Sequence, residues 1–78
     1  MAVCAYVLIQ AEVGKSAQVA QEIAQIDGVV SAANVTGPYD VIVSAEADTV
    51  DELGRMVVSK MQLIDGITRT TTCQVVHL

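Results

Sequence analysis

The tripeptide Ile-Asp-Gly occurs twice in this chain, at 26–28 and at 64–66, 38 positions apart. Each copy stands at the same kind of boundary. Before the first, Gln18, Gln21, Glu22 and Gln25 line one side of a helical wheel, and Val19, Ala20, Ile23, Ala24 and Ile26 line the other. That spacing predicts an amphipathic helix, with Ser16 placed to cap its start. Before the second copy, Val50, Leu53, Val57, Met61 and Ile64 follow at steps of three, four, four and three, which is a single apolar stripe. Thr49 with Glu52 three residues on has the form of a capping box. The glycine closing each tripeptide suits the left-handed position that ends a helix.

A β-branched stretch follows each copy, and another precedes each helix. The expected strands are 3–11, 29–36, 40–47 and 67–76. The chain therefore reads as a strand-helix-strand unit used twice. With right-handed crossovers, the order βαββαβ gives an α+β fold of ferredoxin-like type, a four-stranded antiparallel sheet with both helices on one face. Gly54 falls inside the second helix, where it costs about 1 kcal/mol relative to alanine. Close packing of that helix on the sheet is the expected reason for it.

Such a fold leaves one sheet face bare. The first strand, "VCAYVLIQA", is apolar at nearly every position and reads as buried on both sides. Of the 78 residues 53% are hydrophobic and only 17% are charged, more apolar surface than so small a core absorbs. Two sheets packed face to face would cover it, so a homodimer, a dimeric α/β barrel, is expected.

Charge and composition exclude several functions. The net charge is −5, and Lys15, Arg55, Lys60 and Arg69 are the only cations, which argues against direct nucleic-acid binding. No basic residue precedes Lys15 and no apolar run approaches the roughly 20 residues of a membrane span, so a soluble cytoplasmic protein is expected. Cys4 and Cys73 lack metal-site spacing and are expected to be small core residues. "GKS" at 14–16 resembles the end of a phosphate-binding loop, but Ile9 stands where that loop needs glycine. His77 is the only histidine and is next to last, a solvated end. Glu46, Asp48, Asp51 and Glu52 gather at a strand end and helix start, where carboxylates suit the helix dipole. None of them has a partner that would make an acid and base pair. No cofactor, no metal and no enzymatic activity are expected.

Two stretches remain. In "VTGPYDVIV", Gly37 and Pro38 make a rigid turn that presents Tyr39, Asp40 and nearby N–H groups. In "TRTTTC", Thr68, Thr70 and Thr72 share one face of the last strand with Gln74. Hydroxyls at that spacing can donate and accept, and Asp40 can receive an ammonium group.

Gly37-Pro38-Tyr39-Asp40, then Val41-Ile42-Val43, a helix, and Gly66-Ile67 leading to Thr70 and Thr72 resemble the effector-binding domain of the Lrp/AsnC regulators, the RAM domain. The family pattern is Gly-x-(Tyr/Phe)-Asp, an apolar strand, a helix, then Gly-Val-x-x-Thr-x-Thr. The resemblance spans nearly all of residues 1–78, read as a single domain. It implies dimers paired through their sheets and further association, often as rings of four dimers. It also implies a cleft between dimers that binds a small effector, typically an amino acid. Carried onto this chain, Gly37, Tyr39 and Asp40 would hold the polar groups of the ligand, and Thr70 and Thr72 would add hydroxyls. Family regulators carry an N-terminal helix-turn-helix, whereas the first strand here begins near residue 3, so a stand-alone sensor is expected. Its partners would be full-length regulators joined in mixed oligomers, or an enzyme. Gln74 stands where the family usually has an aliphatic residue.

Three rival readings share the topology. A dimeric α/β-barrel monooxygenase would draw on His, Trp or Asn, and Asn34 is the only asparagine in a chain without Trp or Phe. An ACT-type domain would pair its sheets side by side and carry a glycine-rich turn after the first strand, where only Gly14 stands. A purely structural oligomerisation module would bind nothing.

Overall fold

The structure is a computed structural model that describes residues 2–78; the expected domain start at residue 1 lies outside them. The elements run β1 (Val3–Ala11), α1 (Ser16–Ile23), β2 (Val29–Asn34), β3 (Val41–Ala47), α2 (Val50–Met56) and β4 (Ile67–Gln74). A π-helical turn, Val57–Met61, prolongs α2. All strand pairs are antiparallel in the order β2-β3-β1-β4, the ferredoxin-like arrangement expected.

The duplication is visible hydrogen bond by hydrogen bond. After α1, Ile26 N–H donates to the Ile23 carbonyl and Val29 N–H to Ile26; after α2, Ile64 donates to Met61 and Ile67 to Ile64. Glu46 N–H donates to the Gly28 carbonyl at 2.8 Å, and Glu12 N–H to the Gly66 carbonyl at 2.7 Å. Each Ile-Asp-Gly thus closes one helix and pins the start of the following strand to the C-terminal end of a neighbouring strand. Gly28 has φ +94°, a left-handed conformation that side chains rarely adopt. A Cβ there would run into Met56 Cε and lie 2.8 Å from the Glu46 carbonyl oxygen, so no other residue fits without rearrangement.

The core lies between the helices and one face of the sheet. Ala5, Val7 and Ile9 of β1 and Val41, Val43 and Ala45 of β3 meet Val19, Ala20 and Ile23 of α1. Leu53, Met56, Val57 and Met61 close it from the second helix. Burying each of the larger aliphatic side chains contributes about 1.5–3 kcal/mol, and this is what holds two short helices on the sheet. Within one chain β1 is therefore buried on one side only. Its other face carries Cys4, Tyr6 and Leu8 beside Ser44 and Ile42 of β3 and Thr71 and Cys73 of β4. Tyr6 is 50% exposed.

Both cysteines are exposed on that bare face, not in the core. The topology decides this, because Cys4 and Cys73 fall in the alternate register to the buried residues. Ser16 does not cap α1 either; it is the first helical residue, and Lys15 occupies the cap position without a side-chain bond. Lys15 instead reaches Asp65 at 3.1 Å and Glu12 at 3.4 Å. The hydrogen bond and charge of Asp65, then those of Glu12, raise the Lys15 pKa above the usual lysine value. Thr49 caps α2 with one half of the expected box, its Oγ1 accepting from Glu52 N–H at 3.1 Å. Among the described residues no helix is long and apolar enough to cross a membrane.

Candidate functional site

The 35–40 turn links β2 to β3 at one end of the sheet. Gly37 takes φ +124°, and a Cβ there would meet nothing. The Pro38 carbonyl accepts from Gln10 Nε2 at 3.0 Å, which ties the turn to β1. Tyr39 and Asp40 are half-buried. Asp40 is held three ways: its N–H donates to the Ile9 carbonyl at 2.8 Å, its carbonyl accepts from Val35 N–H at 3.0 Å, and its Oδ2 accepts from Ala11 N–H at 2.8 Å.

That last bond has a plain cause. The β1–β3 ladder ends at Ile9 and Val41, so Ala11 N–H lies beyond the last partner residue. The Asp40 carboxylate takes the place of the missing strand carbonyl, since an unpaired buried N–H would cost about 1–3 kcal/mol. Asp40 therefore has a structural duty as well as a free oxygen, Oδ1, which accepts no hydrogen bond among the described residues. The expected free N–H at Asp40 is in fact paired, because it continues the ladder to Ile9.

Thr70 and Thr72 lie elsewhere. They pair with Ile9 and Val7, whose side chains are fully buried, so both threonines and Gln74 share the helix-bearing face of β4. Between β4 and the second helix runs a groove of about 360 Å³. Thr70, Thr72 and Gln74 form its strand wall; Val50, Leu53, Gly54, Val57 and Val58 form its helix wall; Gln62 closes one end. Gln62 N–H donates to the Val57 carbonyl five residues back, the bond of the π turn. Its side-chain Nε2 donates to Thr70 Oγ1 at 3.0 Å. Thr68 is set apart by the bulge where β1 and β4 slip register, and its hydroxyl donates to the Gln10 carbonyl at 3.1 Å.

The five residues expected at one site thus fall into two groups. Asp40 and Thr70 are two strand spacings apart, about 10 Å across the sheet, with β1 between them. No residue of the 37–40 turn lines the groove that holds Thr70 and Thr72. Gly54 is not packed on the sheet as expected: a Cβ there would meet nothing within 4 Å. It lies on the groove side of the helix, with Val50 and Val58 four residues away in either direction, 53% and 59% exposed. This second apolar stripe was written in the spacing of 50, 54 and 58, but the stronger stripe through Leu53 and Val57 masks it. Gln62 carries no such signal, since its reach depends on the π turn.

A separate cleft of about 430 Å³ lies at the Gly28 end of the molecule, where Asp27, Glu46, Asp48 and Glu52 approach Arg55 and Lys60. All of these side chains are exposed. Among the described residues no three His, Cys, Asp or Glu side chains are grouped as a metal site requires.

Known proteins share this construction. An uncharacterised HTH-type transcriptional regulator of Pyrococcus abyssi is 36% identical over 70 residues, 90% of this chain and 44% of its own length. This chain thus spans less than half the length of that regulator. A crystal structure of TTHA0845 from Thermus thermophilus superposes with a TM-score of 0.92 at 28% identity, covering 97% of this chain and 95% of that one. The fold also recurs in the transcriptional regulator NMB0573 of Neisseria meningitidis, solved as a complex with L-Met. There the TM-score is 0.83 at 16% identity, over 96% of this chain and 50% of that one. The sequence profile described as the Lrp/AsnC ligand binding domain matches residues 4–77, from the first strand to the end of the last, and the chain belongs to that family.

Proposed function

We propose that this chain is an effector sensor that binds an amino acid where subunits of a homo-oligomer meet. One observation carries the reading: the Asp40 turn and the Thr70–Thr72 groove are both built, yet they do not share a cavity within one chain. Each half needs a neighbouring copy to enclose a ligand. Asp40 Oδ1 receives the ligand ammonium group, held in place because Oδ2 is anchored to Ala11 N–H. Gly37 and Tyr39 shape the rim of that half. Thr70 and Thr72 supply hydroxyls from the other copy.

The bare sheet face provides the first level of association. Tyr6, Leu8 and Ile42 form a strip on it that a second sheet covers face to face, giving the dimeric α/β barrel. Dimers then meet around the Asp40 turns, in rings of the kind found in the family. The amino-acid ligand is supported by the Neisseria regulator, whose complex contains L-Met. The work is regulatory, in the cytoplasm and without catalysis: occupancy alters which full-length regulators, or which enzyme, the oligomer joins.

A thermal-shift screen against the twenty amino acids, run with a light-scattering mass, tests this. A ligand that binds only the folded oligomer raises Tm by mass action. An oligomer stabilised by one amino acid or a small chemical group of them is the expected result. An oligomer stabilised by none would turn the reading towards a structural module.

A further inference from the structure

We infer that the groove between α2 and β4 selects an effector with an uncharged, apolar side chain, and that Gly54 keeps the space for it. This rests on the effector reading above and adds the ligand class. The groove contains no charged residue: its helix wall is Val50, Leu53, Val57 and Val58, and its strand wall ends in threonine hydroxyls and the Gln74 amide. A charged side chain entering it would lose water and find no counter-ion, which selects against Asp, Glu, Lys and Arg. An aliphatic or thioether side chain would cover Val50 and Val58, which stand half open although they are apolar.

Nothing within the chain requires glycine at 54. Its backbone is ordinary helix, not left-handed, and a Cβ would touch nothing in the chain. Alanine would suit the helix better. What glycine supplies at this position is room, at the level of the groove between Val50 and Val58. The polar end of the ligand then meets the Thr70 and Thr72 hydroxyls at the strand wall and the Asp40 rim of a neighbouring copy, with Gln62 fixing the Thr70 hydroxyl from the other side.

The test uses the whole oligomer and compares Gly54→Ala and Gly54→Leu with the parent, titrating leucine, methionine, aspartate and lysine by calorimetry. The parent is expected to favour leucine or methionine over aspartate and lysine by at least about tenfold. Gly54→Ala should melt about 4–8 °C higher without ligand, because it gains helix propensity, and yet bind the aliphatic ligand more weakly. Gly54→Leu should lose that binding by about tenfold or more. If either variant fails to keep the parent's mass, the other carries the comparison. Preference for a charged amino acid, or aliphatic binding unchanged in both variants, overturns the groove inference and leaves the effector reading standing. Binding of none of these four, with no stabilisation by any of the twenty in the thermal-shift screen, overturns both.

Discussion

The two faces of β1 both carry large apolar side chains and differ in fate. Ala5, Val7 and Ile9 are at most 1% exposed beneath the helices, whereas Tyr6 is 50% exposed on the other side. The difference does not come from the strand itself. Both crossovers return their helices to the same face, so the topology covers one row of side chains and leaves the alternate row bare. The lesson is that the apolar content of a strand records everything that covers it, other subunits included. Which row meets which cover is set by the connections.

The comparison can be broken most sharply at Ile9. Replacing this fully buried side chain by alanine is expected to cost about 2–5 kcal/mol, read as a fall in the urea midpoint at unchanged slope. Leu8→Glu, one residue away on the other face, should leave far-UV circular dichroism intact and change monomer stability by less than about 1 kcal/mol. Its effect should appear in the scattering mass, which falls towards a monomer of 8.2 kDa. Were Leu8→Glu to unfold the chain, or to leave the mass unchanged, the bare face would not be the subunit contact.

Asp40, at the rim where strand and turn meet, should give an intermediate result. Asp40→Ala removes the acceptor of Ala11 N–H and is expected to cost about 1–2 kcal/mol, while Asp40→Asn keeps an acceptor oxygen and costs less. Both should weaken amino-acid binding, because both remove the charge. A loss confined to the alanine variant would mean that Asp40 serves only the backbone.

Smaller still, in the Leu8→Glu background Cys4→Ser and Cys73→Ser should each change stability by no more than about 0.5 kcal/mol, as both thiols are exposed within one chain. They also report on the bare face, reacting slowly with a thiol reagent in the parent oligomer and fast in Leu8→Glu. The smallest effect belongs to Lys15 and Asp65. A raised lysine pKa gives stability that is present below the ordinary value of 10.5 and lost as pH rises through the raised one. The Tm advantage of the parent over Asp65→Asn should therefore be slight at neutral pH, as for any exposed pair, and should vanish in strong alkali.

Much of the fold was legible because its signals are local and repeated. Ile-Asp-Gly at both helix ends, the Thr49 cap and the two helical stripes each depend on a few neighbouring residues, and all three features lead to one architecture. What could not be read depends on register. The exposure of Cys4 and Cys73 follows from how β1 aligns with β3 and β4, and no residue near either cysteine encodes that. The site shows the same division. Two-residue spacing was enough to place Thr70 and Thr72 on one face of β4. That this face looks onto the helices, across β1 from Asp40, is a property of strand order. Gly54 was noticeable from its cost alone, but its meaning needed the empty space beside it.

The pairing of Ala5 with Gln74, extended by the bond from Val75 N–H to the Cys4 carbonyl, sets the outer ends of the first and last strands side by side. A short linker could join them, and new ends could be opened in the 35–40 turn, giving a circular permutant that begins with β3 and finishes with β2. Each half would then keep its own helix and its own Ile-Asp-Gly. The fold would survive the rearrangement, while the rim that holds Asp40 would be cut, so the permutant would separate the scaffold of this protein from the binding proposed at that rim.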